Sequence, residues 1–149
     1  MLPLRDIFNP RLPEGYVLKV NTYPSPEALN KLLSSCKEAT HPSKRLSAAL
    51  RRSSFCLSIF EESNERLMGF VRATSDKGLN ANLWNLVATP GEYQDLLLLF
   101  LVHHSLRILR REMPGCSISV SAPSVAITAL LNQGFLLDPN GIRAMGLRL

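Results

Sequence analysis

The sequence predicts an α/β fold of the α+β kind, a mixed central sheet of about six to seven strands flanked by about four helices. Three observations predict it. Short apolar or β-branched runs separated by turn residues fill the stretch from Tyr16 to Ala88. One long stretch without glycine or proline, Asp95 to Met113, follows a strand through a tight loop. A further strand and short helix come after Pro114-Gly115.

In chain order, residues 1–14 are broken by proline and form an arm. Tyr16 to Tyr23 has the aromatic and β-branched content of a strand, closed by Pro24. Ser25 caps a helix with Pro26 at its first position, and Leu29, Leu32, Leu33 and Cys36 share one face. A second helix runs from Pro42 or Ser43 to Arg52, with Leu46, Ala49 and Leu50 inward. Phe55–Phe60, Leu67–Thr74 and Leu83–Ala88 are strands of an antiparallel meander. The polar turns Glu61–Glu65 and Ser75–Asn80 join them. Asp95 is expected to cap the long helix, because its carboxylate suits the free N–H groups of a first turn. Cys116–Val120 is then a strand and Ser124–Asn132 a short helix ended by Gly134. Phe135–Leu137 and Ala144–Leu149 are expected to close the sheet as a hairpin over Asp138–Gly141.

With 149 residues, 46 % of them hydrophobic and 19 % charged, the chain has the size and composition of a single folded domain over 1–149. The longest apolar run, Leu96 to Val102, is far short of the roughly 20 residues that cross a bilayer. The N-terminus has neither a continuous apolar core nor an Arg/Ser-rich pattern, so a cytoplasmic protein without membrane partner is expected. Three widely spaced cysteines, Cys36, Cys56 and Cys116, read as free buried thiols. The net charge of +5 favours anionic partners, but the basic clusters do not interleave with aromatics, which weighs against a nucleic-acid surface. His103-His104 reads as half-exposed helix surface, His41 as a loop residue and Trp84 as core, and no metal site is expected. The run Leu96–Val102 is apolar all round, so part of it is expected at a homo-oligomeric or partner interface.

The wording of two blocks adds to this. Leu67-Met68-Gly69-Phe70-Val71-Arg72-Ala73-Thr74-Ser75-Asp76, followed by Asn80-Ala81 and Trp84-Asn85-Leu86-Val87, resembles a stretch of the plastid and cyanobacterial branch of the GNAT superfamily, the acetyl-CoA-dependent N-acetyltransferases. Asn132-Gln133-Gly134-Phe135 with Asp138-Pro139-Asn140-Gly141-Ile142 resembles the ending of the same family. The resemblance covers about residues 28–149 and implies the GNAT fold, with acetyl-CoA as cofactor and an amine as acceptor.

It also implies positions for the cofactor. The strand end Leu86-Val87-Ala88 would offer backbone bonds to the pantetheine arm. Tyr93, Gln94, Asp95, Leu96, Leu97 and Leu98 would lie at the pyrophosphate, with Asn132 nearby on the last helix. The family's phosphate motif, Q/R-x-x-G-x-G/A, needs glycine so that backbone N–H groups come close to the phosphates. Here it reads Gln94-Asp95-Leu96-Leu97-Leu98-Leu99, and Glu92 and Asp95 bring like charge to the same place. Leu130 stands where many members carry a Tyr that protonates the thiolate, and Asn85 where a carboxylate is common. No catalytic residue is therefore assigned. Two functions follow: an N-acetyltransferase with weakened cofactor binding, or a catalytically silent GNAT fold serving as a binding or scaffold module for an unidentified protein partner.

Overall fold

The computed structural model describes residues 8–141 and 145–148 of the chain. Its sheet is built in chain order. Strands β1 (Tyr16–Val20), β2 (Phe55–Glu61), β3 (Arg66–Ser75) and β4 (Asn80–Ala88) form an antiparallel meander, and β5 (Ser117–Val120) adds to β4 in parallel. Five strands are present among the described residues, fewer than the six to seven expected. β1 is also shorter than the sequence suggests. Asn21 adopts φ +56 and its side-chain oxygen accepts from the Cys56 N–H at 3.0 Å, so the chain leaves the sheet there.

Helices cover both faces. On one side pack α1 (Pro26–Ser35) and α2 (Ser43–Arg52), whose Leu29, Leu33, Leu46 and Leu50 meet Cys56, Phe70 and Val87. Ser25 caps α1 as the sequence predicts, accepting from the Ala28 N–H at 3.1 Å. On the other side lies α3 (Gln94–Glu112), buried along Leu97–Val102 against Leu57, Ile59, Val71 and Leu83. Close approach of α3 depends on Gly69, where an added Cβ would lie 3.2 Å from Leu101 Cδ1 and 3.3 Å from Ile59 Cδ1. After β5, a 3₁₀ turn (Ser124–Ala126) leads into α4 (Ile127–Asn132), which places Ala129 and Leu130 against the α3 side of the core.

Several expectations need correction. Leu97, Leu98, Leu99, Leu101 and Val102 are fully enclosed by the chain itself, so the apolar surface that suggested a subunit interface is not exposed there. Phe135–Leu137 is not a strand. Gly134 (φ +94) ends α4 in a Schellman motif, with the Phe135 N–H bonded to the Leu130 carbonyl at 3.1 Å and the Gly134 N–H to that of Leu131 at 3.0 Å. These bonds hold Phe135 to the helix end instead of the sheet. Met145–Arg148 has no regular structure either, while Ile142–Ala144, Leu149 and the first seven residues of the arm lie outside the described residues. Of the cysteines only Cys56 is buried, and Cys36 and Cys116 are partly exposed.

Candidate functional site

The site is built on a break in β4. Phe70 pairs with Val87 and Arg72 with Trp84, so β4 carries one residue more than β3 between these pairs. The extra residue is accommodated at Asn85, at φ +54, a left-handed conformation that asparagine tolerates better than most side chains. The bulge reverses the alternation: Ala81 and Leu83 face α3 before it, Leu86 and Ala88 after it. The Arg72 guanidinium pins the bulge by donating from Nε to Asn85 Oδ1 at 2.7 Å. Trp84, expected in the core, is consequently 38 % exposed, with its indole N–H donated to Thr74 Oγ1 at 2.7 Å and Arg72 over its ring at 5.9 Å.

β5 pairs with β4 only from Asn80 to Leu83. Ser119 and Asn82 reinforce that pairing through a side-chain hydrogen bond. From Trp84 to Ala88, β4 has β3 on one side and, among the described residues, no strand on the other. Strand edges with free backbone groups bind extended ligands by adding hydrogen bonds. Part of this edge is already engaged, since the Ala88 carbonyl accepts from Cys36 Sγ at 3.1 Å and from Gln94 Nε2 at 3.0 Å. Burial raises the Cys36 thiol above its ordinary range, so it is held as a neutral donor.

The start of α3 lies next to this edge in the chain. Tyr93, not Asp95, is the residue before the first turn, and no side chain caps the helix. The first-turn N–H groups of a helix lack partners within it and attract anions. Asp95 sits exposed within that turn, and Glu92 is exposed just before it. Counting the family motif from Gln94 puts its glycines at Leu97 and Leu99, and both leucines are fully buried in the core. They therefore point away from the helix start and do not obstruct it. Tyr93 packs edge-on against Tyr16, with ring centroids 5.8 Å apart, on the β1 side. Leu130 is buried at 3 % exposure and offers no proton, while Asn132 is exposed at the end of α4. The expected cofactor residues thus separate into a strand end, Leu86–Ala88, and a helix start, Tyr93–Leu96, with Leu97 and Leu98 in the core.

A cleft of about 570 Å³ opens on the α1/α2 side of the bulge, a region the sequence did not single out. Arg72 and Asn85 form its floor, and His41, Arg45 and the terminal segment at Arg148 form its walls. Asn30 brackets the loop that carries His41, donating to the His41 carbonyl at 2.7 Å and accepting its N–H at 3.0 Å. Arginines scattered along the sequence gave no signal of this convergence. Only the paired strands bring Arg72 and Asn85 together. Among the described residues no group of three or more His, Cys, Asp or Glu side chains forms a metal-binding cluster. No helix among them is long and apolar enough to cross a membrane.

Comparison with known proteins agrees with this architecture. A protein of Porphyra purpurea named as an uncharacterized N-acetyltransferase, ycf52, is 35 % identical over 119 residues, covering 78 % of this chain and 68 % of that one. The GCN5-related N-acetyltransferase 2, chloroplastic, of Arabidopsis thaliana is 37 % identical over 86 residues, covering 57 % of this chain and 33 % of that one. A probable acetyltransferase of Staphylococcus aureus superposes with a TM-score of 0.77 over 89 % of this chain and 100 % of its own, at 18 % identity, which bears on the fold alone. No family model matches the chain. The sequence relatives and the fold together place it in the GNAT superfamily of N-acetyltransferases.

Proposed function

We propose that this N-acetyltransferase-like chain transfers an acetyl group from acetyl-CoA to an amine, binding the cofactor in the gap where β4 leaves β5. The observation that carries this reading is the one-sided stretch Trp84–Ala88 followed directly by an uncapped helix start. The backbone groups of Leu86 on the free edge would bind a pantetheine amide, those of Val87 facing β3, and the N–H groups of Asp95 and Leu96 would receive the pyrophosphate. The residues fit the cofactor, with reduced affinity. Glu92 and Asp95 repel the phosphates, and no glycine lets the backbone approach more closely.

When bound, acetyl-CoA would supply a thioester for the acceptor nitrogen to attack, a C–N bond forming as the C–S bond breaks. The chain's residues position this reaction more than they move protons. Asn85 cannot take the proton lost by the amine, and Leu130 cannot give one to the thiolate, so both exchanges occur with solvent. Positioned general acid–base help is typically worth about 10² to 10⁴ in rate, and a slow enzyme is the consequence. Three free thiols suit a reducing compartment. The cytoplasm meets that condition, and a relative named as chloroplastic makes the plastid the competing site.

The test is amine-dependent thiol release from acetyl-CoA, with the acetylated product weighed by mass spectrometry. Slow turnover that needs both substrates is expected. Cofactor binding without turnover on a broad amine panel would favour the scaffold reading.

A further inference from the structure

We infer that the acceptor amine carries an anionic group, a carboxylate above all, which Arg45, Arg72 and Arg148 hold in the cleft beside the β4 bulge. This rests on the transferase reading and extends it to the substrate class. The cleft and the open edge of β4 meet at one residue, Asn85, so a molecule seated on the cleft floor borders the strand end proposed for the cofactor.

The charge of the cleft is one-sided. Arginines reach it from α2, from β3 and from the terminal segment, and His41 adds an imidazole, whereas no carboxylate lines it among the described residues. The Arg72 side chain is partly buried, and burial disfavours its charge. It nevertheless has no acidic partner among the described residues: its Nε donates to Asn85 and its guanidinium lies over the Trp84 ring. The terminal guanidinium nitrogens remain to bind something else. A partly buried cation without a counter-ion is costly, and an anion arriving with the substrate relieves that cost. Guanidinium groups match carboxylates through two parallel hydrogen bonds, which a neutral amide cannot reproduce. The volume, about 570 Å³, suits a small molecule or the end of a peptide.

The test uses matched acceptors with acetyl-CoA and the intact protein. One pair is γ-aminobutyrate and its carboxamide. The other is a peptide with Glu beside its N-terminal residue and the same peptide with Gln there. In at least one pair the acid is expected to be preferred at least tenfold in kcat/KM. Arg45→Gln and Arg148→Gln, both at exposed positions, should each cut that preference severalfold while circular dichroism stays unchanged. Equal use of acid and amide in both pairs, or a preference that survives both substitutions, would overturn the inference. A protein that acetylates none of these four, while turning over no other amine of a broad panel, counts against the transferase reading instead. In that case calorimetry with the same pairs decides: acid-selective binding lost in the arginine variants upholds the anion site, and equal or absent binding refutes it.

Discussion

The two halves of β4 differ sharply in pairing, backbone conformation and exposure. From Ala81 to Leu83 the strand has a partner on each side and buries Ala81 and Leu83 completely. From Trp84 to Ala88 it has one partner strand among the described residues, carries a left-handed asparagine, and exposes an indole. One residue separates a scaffold from a site. The bulge against β3 reverses the side-chain alternation and brings Arg72 to Asn85, just where the pairing with β5 ends. If that division is sound, substitutions in the closed half should cost stability, and those in the open half should cost mainly binding.

The largest expected effect is in the closed half. Leu83→Ala removes a fully buried side chain from the cluster under α3 and should cost about 2–5 kcal/mol in urea unfolding. A cost under about 1 kcal/mol would mean that the closed half is not the scaffold. Next comes the contact between sheet and helix at Gly69. Gly69→Val should cost about 1–3 kcal/mol, since even its Cβ meets Leu101 and Ile59 below ordinary contact distance. A neutral result would show that α3 shifts freely over the sheet.

The open half is tested at the bulge itself. Asn85→Ala loses both a residue type suited to φ +54 and the bond from Arg72, for about 1–2 kcal/mol. Asn85→Gly keeps the backbone and isolates the side-chain bond, so it should cost less in stability while weakening acceptor use as much. If glycine costs more than alanine, the left-handed backbone is not what holds the bulge.

The smallest effect lies away from β4, where α3 borders β1. Burial first, then the charges of His103 and Arg107, lower the His104 pKa from 6.5 to about 4. The imidazole is then neutral in the folded state while the unfolded state takes up a proton below pH 6.5. Its contribution is complete above that pH and is lost as pH falls from about 6.5 to 4. With the ring half in solvent against Phe100, the loss should be on the order of 1 kcal/mol. His104→Phe should flatten that part of the stability profile, and an unchanged slope would assign it to other groups.

The sequence made the meander, the α3 helix and the α1 cap legible, because each has a strong local cause. Ser25-Pro26, the polar turn at Glu61–Glu65 and the unbroken run to Met113 specify their structures without help from distant residues. The misreadings have causes of different range. Trp84 has the composition of core, but the bulge at Asn85 decides which side it faces, and that is visible only in the register against β3. Phe135–Leu137 has strand composition, but Gly134 spends its bonds on the end of α4. Leu97 and Leu98 suggested a phosphate site in a residue-by-residue reading, yet both belong to the apolar face of α3. The cleft was illegible because Arg45, Arg72 and Arg148 are far apart in the chain.

Calorimetric titration of acetyl-CoA into the intact protein shows whether the open half of β4 and the start of α3 hold the cofactor. Saturable binding with one site and a Kd between about 10 µM and 1 mM is expected, equivalent to about −7 to −4 kcal/mol. Acetyl-CoA that produces no saturable heat up to several times the upper end of that range would contradict it and leave the fold as a scaffold.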